Sequence, residues 1–416
     1  MRLKNGDSGQ LPSKWTSHVI VFLLGLRLVL SQFRDVAFFD IDSYHVSILT
    51  FWSALFAFMV IWRLALPPKV NAVLRRTVVL ILLFVVIFGI TRIFAPTEII
   101  TSFLYMVLFF LALLVAGKLF HDLPIEKLIK PILFFGGVLL TMHATAPLWG
   151  SLGQVEESLG GYIGAFPSKQ MAGATFSALF PFVFFRYAER RNLQSFFFLV
   201  AVSVFLFLTF QRTAIVGTGI FLTAFLYYTK RLPYVLPAVV IFVAIICYLP
   251  EEELSRFVQT KIVKEVEAAE GGEIGALGAG RVRVAILAVE WLSSQMNLME
   301  ILFGLGTAQS NMLHFLAVGH YAYAHVQAVA VLIDYGIIGG SLIIVLLVQL
   351  FKIKRRQLRE HNRLADVIGM AVLVVLIAQM FYAMPLQDGA TGVLLVFWLY
   401  ACVQTPRLPQ NSSSSN

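Results

Sequence analysis

The chain has 416 residues, of which 59% are hydrophobic and 13% charged, and its mean hydropathy is +0.82. Soluble domains are about 45–50% apolar and about 25% charged, so the composition excludes an ordinary cytosolic enzyme, and with it a disordered, collagenous or coiled-coil chain. Only two cysteines occur, Cys247 and Cys402, both in apolar runs, which excludes a disulfide framework and a CxxC metal site.

What remains is an all-α polytopic membrane protein. A bilayer core of roughly 30 Å takes about 20 apolar residues per helix. In chain order, the hydropathy predicts spans near Ser17–Gln32, Val46–Leu66, Thr77–Ile93, Glu98–Gly117 and Pro131–Ala146. Four more follow near Lys169–Tyr187, Gln194–Phe210, Thr213–Thr229 and Pro233–Pro250. The last three lie near Gly336–Phe351, Asp366–Met384 and Gly389–Gln404, which makes about 12 transmembrane helices. The division is membrane helices over 1–250, a long extramembrane loop over 251–324, membrane helices again over 325–404, and a disordered Ser-rich tail over 405–416. The first span follows a polar head with no small-residue cleavage site and reads as a retained anchor.

Charge orients the spans. With both termini cytoplasmic, inside segments and span ends hold 21 of the 32 basic residues, among them Lys127, Lys130, Arg186, Arg190, Lys352 and Lys354. Outside segments hold nine, five of them in the long loop, where the rule weakens because long loops translocate largely regardless of charge. The net charge of +9 is therefore positive-inside anchoring against an anionic leaflet, and no nucleic-acid partner is expected.

Polar residues that run against this pattern mark candidate chemistry. Within the nearly continuous apolar run Gln194–Thr229, only Gln211 and Arg212 interrupt, so a very tight outside turn is expected there. Such a turn survives at membrane depth only when buried in protein or lining a wet cavity. Arg212 either snorkels to the interface or faces that cavity as an anion ligand. Lys169, in Ser168-Lys169-Gln170, is a second phosphate contact or a plain interfacial anchor. Arg281 and Arg283 follow Gly278-Ala279-Gly280, where a helix from Arg281 to about Leu298 should begin, with Val284, Leu287, Trp291 and Leu298 available for its apolar face. Helix N-termini receive phosphate and guanidinium groups bind it bidentately, though solvated arginines on a capped helix are the plain alternative. His325 heads an apolar run to Ile333 and has the titration range of a general acid or base, with His314 and His320 as rivals of the same type. Glu156, Glu157, Asp334 and Asp388 are the outer-half acids. No HExxH or other ligand spacing occurs, so neither metal nor other cofactor is expected.

Together these residues resemble the bacterial O-antigen ligase and polymerase superfamily. His325 is followed at that family's spacing by Gly336-Ile337-Ile338-Gly339, with Val326 adjacent and Gln327 one place later. Gln211-Arg212 is similar to the family's Ser-Arg turn, Gly280-Arg281 to its Gly-Arg opening of a loop helix, Gly304-Leu305-Gly306 to its Gly-x-Gly, and Ser168-Lys169-Gln170 to its Asn-Lys-Asn. The resemblance implies a GT-C-like, metal-independent glycosyltransferase of the inner membrane with its site on the periplasmic face. It implies an undecaprenyl-diphosphate-linked glycan as donor, with lipid A–core or another lipid-linked repeat unit as acceptor. Other polysaccharide-assembly proteins of the membrane are the implied partners. By the same resemblance Arg212 and Arg281 would bind the diphosphate and His325 would act at the acceptor hydroxyl or the leaving group; Lys169 and Arg283 are the further candidate diphosphate contacts by their position in the sequence. The rival readings are a transporter or flippase of lipid-linked oligosaccharide, and a peptidoglycan glycosyltransferase relying on an outer aspartate such as Asp388.

Overall fold

The computed structural model describes residues 11–33, 37–41, 44–65, 72–90, 97–149, 162–166, 168–248, 281–306, 326–361, 363–381 and 391–400, with positions 255, 263, 309, 310 and 383. Helices cover each of the twelve apolar segments of the sequence. They are α1 (Leu11–Leu30), α2 (Ile48–Ala65), α3 (Ala72–Ile90), α4 (Thr97–Asp122), α5 (Ile125–Thr145), α6 (Lys169–Arg190), α7 (Leu193–Leu208), α8 (Arg212–Thr229) and α9 (Leu232–Tyr248). Two loop helices follow, α10 (Arg281–Ser294) and α11 (Leu298–Phe303), then α12 (Gln327–Glu360), α13 (Leu364–Gln379) and α14 (Thr391–Tyr400). Between α1 and α2, β1 (Ala37–Ile41) and β2 (Tyr44–Ser47) form a short antiparallel pair, which the all-helical expectation did not contain.

Among the described residues, four helical stretches are long and apolar enough to cross a bilayer: Lys14–Phe33, Ile125–Leu148, Lys169–Arg190 and Gln327–Glu360. Phe51–Leu64, Met106–Ala116, Leu193–Leu208 and Leu364–Gln379 are apolar but shorter. The fold is that of a helical membrane protein. Its core runs through α4, α6, α8, α13 and α14, where Phe110, Phe176, Phe180, Phe184, Phe225 and Trp398 are fully buried. Exposed Phe58, Trp62, Leu83, Phe134 and Ile344 lie on outward faces, as lipid-facing side chains do.

Local chemistry sets the helix ends. The Ser168 hydroxyl accepts from the Met171 amide at the start of α6 (3.3 Å), and the Asn192 side chain accepts from the Ser195 amide at the start of α7 (2.9 Å). Arg191 and Lys230 close α6 and α8 in left-handed backbone, φ 49° and 55°. Beyond those ends the Arg191 guanidinium lies over the Tyr234 ring at 4.4 Å, and the Lys230 ammonium over Tyr227 at 4.2 Å. Such cation–aromatic pairs are typical of a membrane interface.

Three expectations need correction. The helix expected over Arg281–Leu298 ends at Ser294, because Asn297 and Glu300 form a reciprocal capping box that starts α11, and Leu298 is 71% exposed instead of joining an apolar face. The helix expected to start at Gly336 begins at Gln327 and instead breaks at Gly336, whose φ of 64° and ψ of −169° are non-helical. It also runs past Phe351 to Glu360, carrying an exposed Arg356–Glu360 pair (2.6 Å). Lys354, assigned by its charge to an inside loop, is fully buried against Gly369 of α13. A Cβ at Gly369 would lie 2.8 Å from the Lys354 Nζ and 2.5 Å from the Trp398 carbonyl oxygen, so the missing side chain makes room for the lysine.

Gly336 adopts a backbone conformation that is essentially glycine-only. A Cβ there would sit 2.5 Å from the Leu302 carbonyl. Gly336→Ala should therefore cost about 3 kcal/mol of stability, read as a lowered thermal midpoint of the purified protein in detergent; an unchanged midpoint would contradict the described break.

Candidate functional site

The turn expected at Gln211-Arg212 is present and tight. α7 ends at Leu208 with Thr209 as its C-cap, Phe210 takes a left-handed φ of 47°, and Gln211 is the N-cap of α8. The Thr209 hydroxyl donates to the Leu206 carbonyl (2.7 Å) and accepts from the Gln211 amide (3.3 Å), and the Gln211 side-chain amide donates to the Thr213 hydroxyl (2.9 Å). Phe210 is buried, so the turn is anchored in protein and not exposed at its tip. Arg212 is the first residue of α8 and half-buried.

Lys169 is the first residue of α6, and its side chain is 6% exposed. The segment leading into it is held by packing around His143, near the end of α5. Tyr162 donates its hydroxyl to the His143 carbonyl (2.6 Å) and its amide to the Leu208 carbonyl (2.7 Å), bridging the ends of α5 and α7. The His143 ring is completely buried and edge-on to Tyr162, Phe166, Phe176 and Phe205, with centroids 4.7–5.5 Å apart. Gly164, at φ 60°, lies against the same ring, where a Cβ would overlap Nδ1 and Cε1. Neither ring nitrogen has a hydrogen-bond partner among the described residues. Nothing in the sequence singled out this histidine, because its environment is assembled from four separate segments.

α6 and α8 pack side by side and point the same way. Near their starts, Gly173 leaves room for Gln211 and Ala214, where a Cβ would lie 2.6 and 3.2 Å from theirs. Further along, Phe180 meets Phe221 (5.8 Å) and Phe184 meets Phe225 (4.8 Å). Lys169 precedes Gly173 by only about 6 Å of helix rise, so Lys169 and Arg212 share one end of the bundle. α13 runs oppositely to α6 and α8: its Gly369 meets Trp398, which packs on Phe182 and Phe185 toward the end of α6, while Val372 and Val375 further along α13 lie beside Ser177, Thr218 and Phe221, nearer the starts of α6 and α8. Its far end receives the start of α12: the Ala328 amide donates to the Met380 carbonyl (2.9 Å) and the Gln327 amide to the Ala383 carbonyl (3.0 Å). The first residues of α6, α8 and α12 thus collect at the same end.

The two glycine motifs are in direct contact. The Leu305 and Gly306 amides donate to the Ile333 and Asp334 carbonyls, at 2.9 and 3.0 Å, just before the break in α12. Gly304, at φ 83°, has no space for a Cβ against the Asp334 backbone. The fully buried Asp334 carboxylate accepts from the Ser310 amide (2.8 Å) and hydroxyl (3.3 Å), fastening the loop again. α10 adds an apolar contact, Leu287 and Trp291 packing with Met296 and Ile333.

Arg281 opens α10, as expected, and Arg283 is exposed two residues on. Both are tied through α10 to the first segment of α12. His325, His314, His320, Glu156, Glu157 and Asp388 lie outside the described residues. Among the described residues, no three His, Cys, Asp or Glu side chains gather as a metal-binding set. No protein-family model and no curated protein matches the chain.

Chemically, the shared end presents two cationic side chains at two parallel helix N-termini, whose free amides and dipoles are themselves positive. That arrangement accepts an anionic group. His143→Ala removes the ring on which the approach to Lys169 is packed and should cost about 3 kcal/mol, measured as a lower thermal midpoint, whereas His143→Phe, which keeps the ring, should remain within about 1.5 kcal/mol of the parent.

Proposed function

We propose that the protein is an inner-membrane glycosyltransferase of the O-antigen ligase or polymerase type, acting at the periplasmic face on a glycan carried by undecaprenyl diphosphate. On this reading all twelve apolar helices cross the membrane, both termini are cytoplasmic, and the α10–α11 loop faces the periplasm. The observation that carries it is the parallel packing of α6 on α8, which brings Lys169 and Arg212 to adjacent helix N-termini. The sequence resemblance supplies the reaction, since an anion site alone does not specify one.

In that reaction the acceptor hydroxyl attacks the anomeric carbon and the bond from that carbon to the diphosphate oxygen breaks. Negative charge then grows on the departing diphosphate. Fixed cations and helix N-termini in a water-poor site stabilise such charge without reorganising during the step. Arg212 and Lys169 take that role, and Arg281 joins them from the start of α10. His325, two residues before α12 begins, accepts the proton of the acceptor hydroxyl. The acceptor is lipid A–core for a ligase and another lipid-linked repeat unit for a polymerase.

Among the described residues, the break in α12 favours the rival transporter, since transporters bind substrates and ions at interrupted helices. Here the carbonyls of Ile333 and Asp334 are occupied by the Leu305 and Gly306 amides. A break closed in this way by backbone is a joint between loop and bundle, which suits the transferase.

The test is transfer by purified protein between lipid-linked donor and acceptor with no ion gradient. Arg212→Ala and Arg281→Ala should each lower transfer by about 10²–10³, the range for losing one preorganised charge-stabilising group, while the protein elutes as the parent does. His325→Ala should lose turnover far more than donor binding. Gradient-dependent movement of donor without transfer would overturn the proposal in favour of the transporter. In a deletion strain, accumulation of long lipid-linked chains would identify a ligase and accumulation of single repeats a polymerase.

A further inference from the structure

At the opposite end of α6 the bundle opens into a second recess, between α5 and α7. It is a cavity of about 1030 Å³ lined along α5 from Glu126 to Met142 and along α7 by Asn192, Gln194, Ser195 and Phe198. From Lys127 to Met142 is about 22 Å of helix. The recess is graded in chemistry over that length. Its mouth carries Lys127, Lys130, Arg186 and Arg190, and its body carries Leu133, Phe134, Val138, Met142 and Phe198. Two carboxylates stand against the four cations: Glu126 in the lining, and Glu189, which pairs with Arg186 at 3.4 Å. The mouth therefore keeps a net positive charge.

Adjacent glycines show that the recess is built into the packing. A Cβ on Gly136 would press on Leu179 of α6 at 2.9 Å, so this glycine brings α5 and α6 together. A Cβ on Gly137 would meet nothing within 4 Å, so this one faces open space. Phe134 is 65% exposed at the side of the opening.

We infer that this recess is a binding site for an anionic diacyl phospholipid, its phosphate at Lys127, Lys130, Arg186 and Arg190 and one acyl chain along Phe134, Gly137, Val138 and Phe198. The argument is charge complementarity combined with length. A bilayer leaflet's hydrocarbon is about 15 Å deep, half of roughly 30 Å, so a headgroup plus one chain matches the 22 Å gradient. A soluble anion would leave the apolar body unfilled, and a neutral lipid would leave the cations unmatched. Basic recesses between membrane helices at the positive side are where phospholipid headgroups are held. The charge-based orientation puts this mouth in the cytoplasmic leaflet. The site lies at the far end of α6 from Lys169, and the inference does not rest on the transferase reading.

The test uses the purified full chain in phosphatidylcholine nanodiscs, titrated with spin-labelled phosphatidylglycerol or spin-labelled phosphatidylcholine. The parent protein should immobilise the anionic probe preferentially, and salt should reduce that preference. Lys127→Gln and Lys130→Gln, both exposed side chains, should each reduce the preference about fivefold. Gly137→Phe, which fills the open space, should abolish immobilisation of both probes while circular dichroism and thermal midpoint stay near the parent's. Equal immobilisation of both probes by the parent would overturn the inference, and so would an unchanged preference in the lysine variants. A photoreactive phenylalanine at position 134 should capture lipid; capture of a second protein chain instead would show the recess to be a protein interface and would also overturn it.

Discussion

The seam between Gly304–Gly306 and the break in α12 is the contact on which the arrangement of the described elements turns. A helix interrupted inside a membrane protein leaves backbone carbonyls without partners, and the bilayer offers none. Here the carbonyls of Ile333 and Asp334 are satisfied by amides from the loop, and the Asp334 side chain holds Ser310 as well. The loop and the helix therefore need each other. Glycine is required on both sides because two backbones approach closely enough that a Cβ at Gly304 or Gly336 has no room. The consequence reaches α10, whose Leu287 and Trp291 rest on the hydrophobic pair Met296–Ile333 beside the seam, and hence Arg281 at its start.

Much of this was legible in the sequence, for physical reasons that differ by element. The helices were readable because each apolar run is long and ends in residues that stop helices or favour water. The turn before Arg212 was readable because an apolar run from Gln194 to Thr229 is too long for one span. The two glycine motifs were visible as patterns, but nothing in a linear pattern says that one packs on the other. Gly336 reads as a helix start because hydropathy does not distinguish the beginning of a helix from a break within one. The capping box at Asn297 and Glu300 is equally visible in the sequence, but the apolar spacing of Trp291 and Leu298 competes with it by suggesting one continuous face.

Residues whose meaning depends on several segments were the ones the sequence concealed. His143 reads as a polar residue at the end of an apolar run, and only the folded chain surrounds it with Tyr162, Phe166, Phe176 and Phe205. Lys354 reads as one more basic residue in a positive loop, and only the absence of a side chain at Gly369 and the continuation of α12 bury it. Gly137 differs from Gly136 in nothing a sequence records, yet one closes a helix contact and the other opens a cavity.

Helix electrostatics adds a reason for the charge distribution at the two ends of α6. Basic groups belong near a helix C-terminus, where the dipole is negative, and Arg186 and Arg190 obey this. Lys169 and Arg212 do not, because each is the first residue of its helix and meets the positive end of the dipole. Two such ends lie side by side here, so four positive contributions share one region, each cation–dipole repulsion being about 0.3–1 kcal/mol. An anionic group bound there would be attracted by each cation and by each dipole end, and those attractions would offset the repulsions among them.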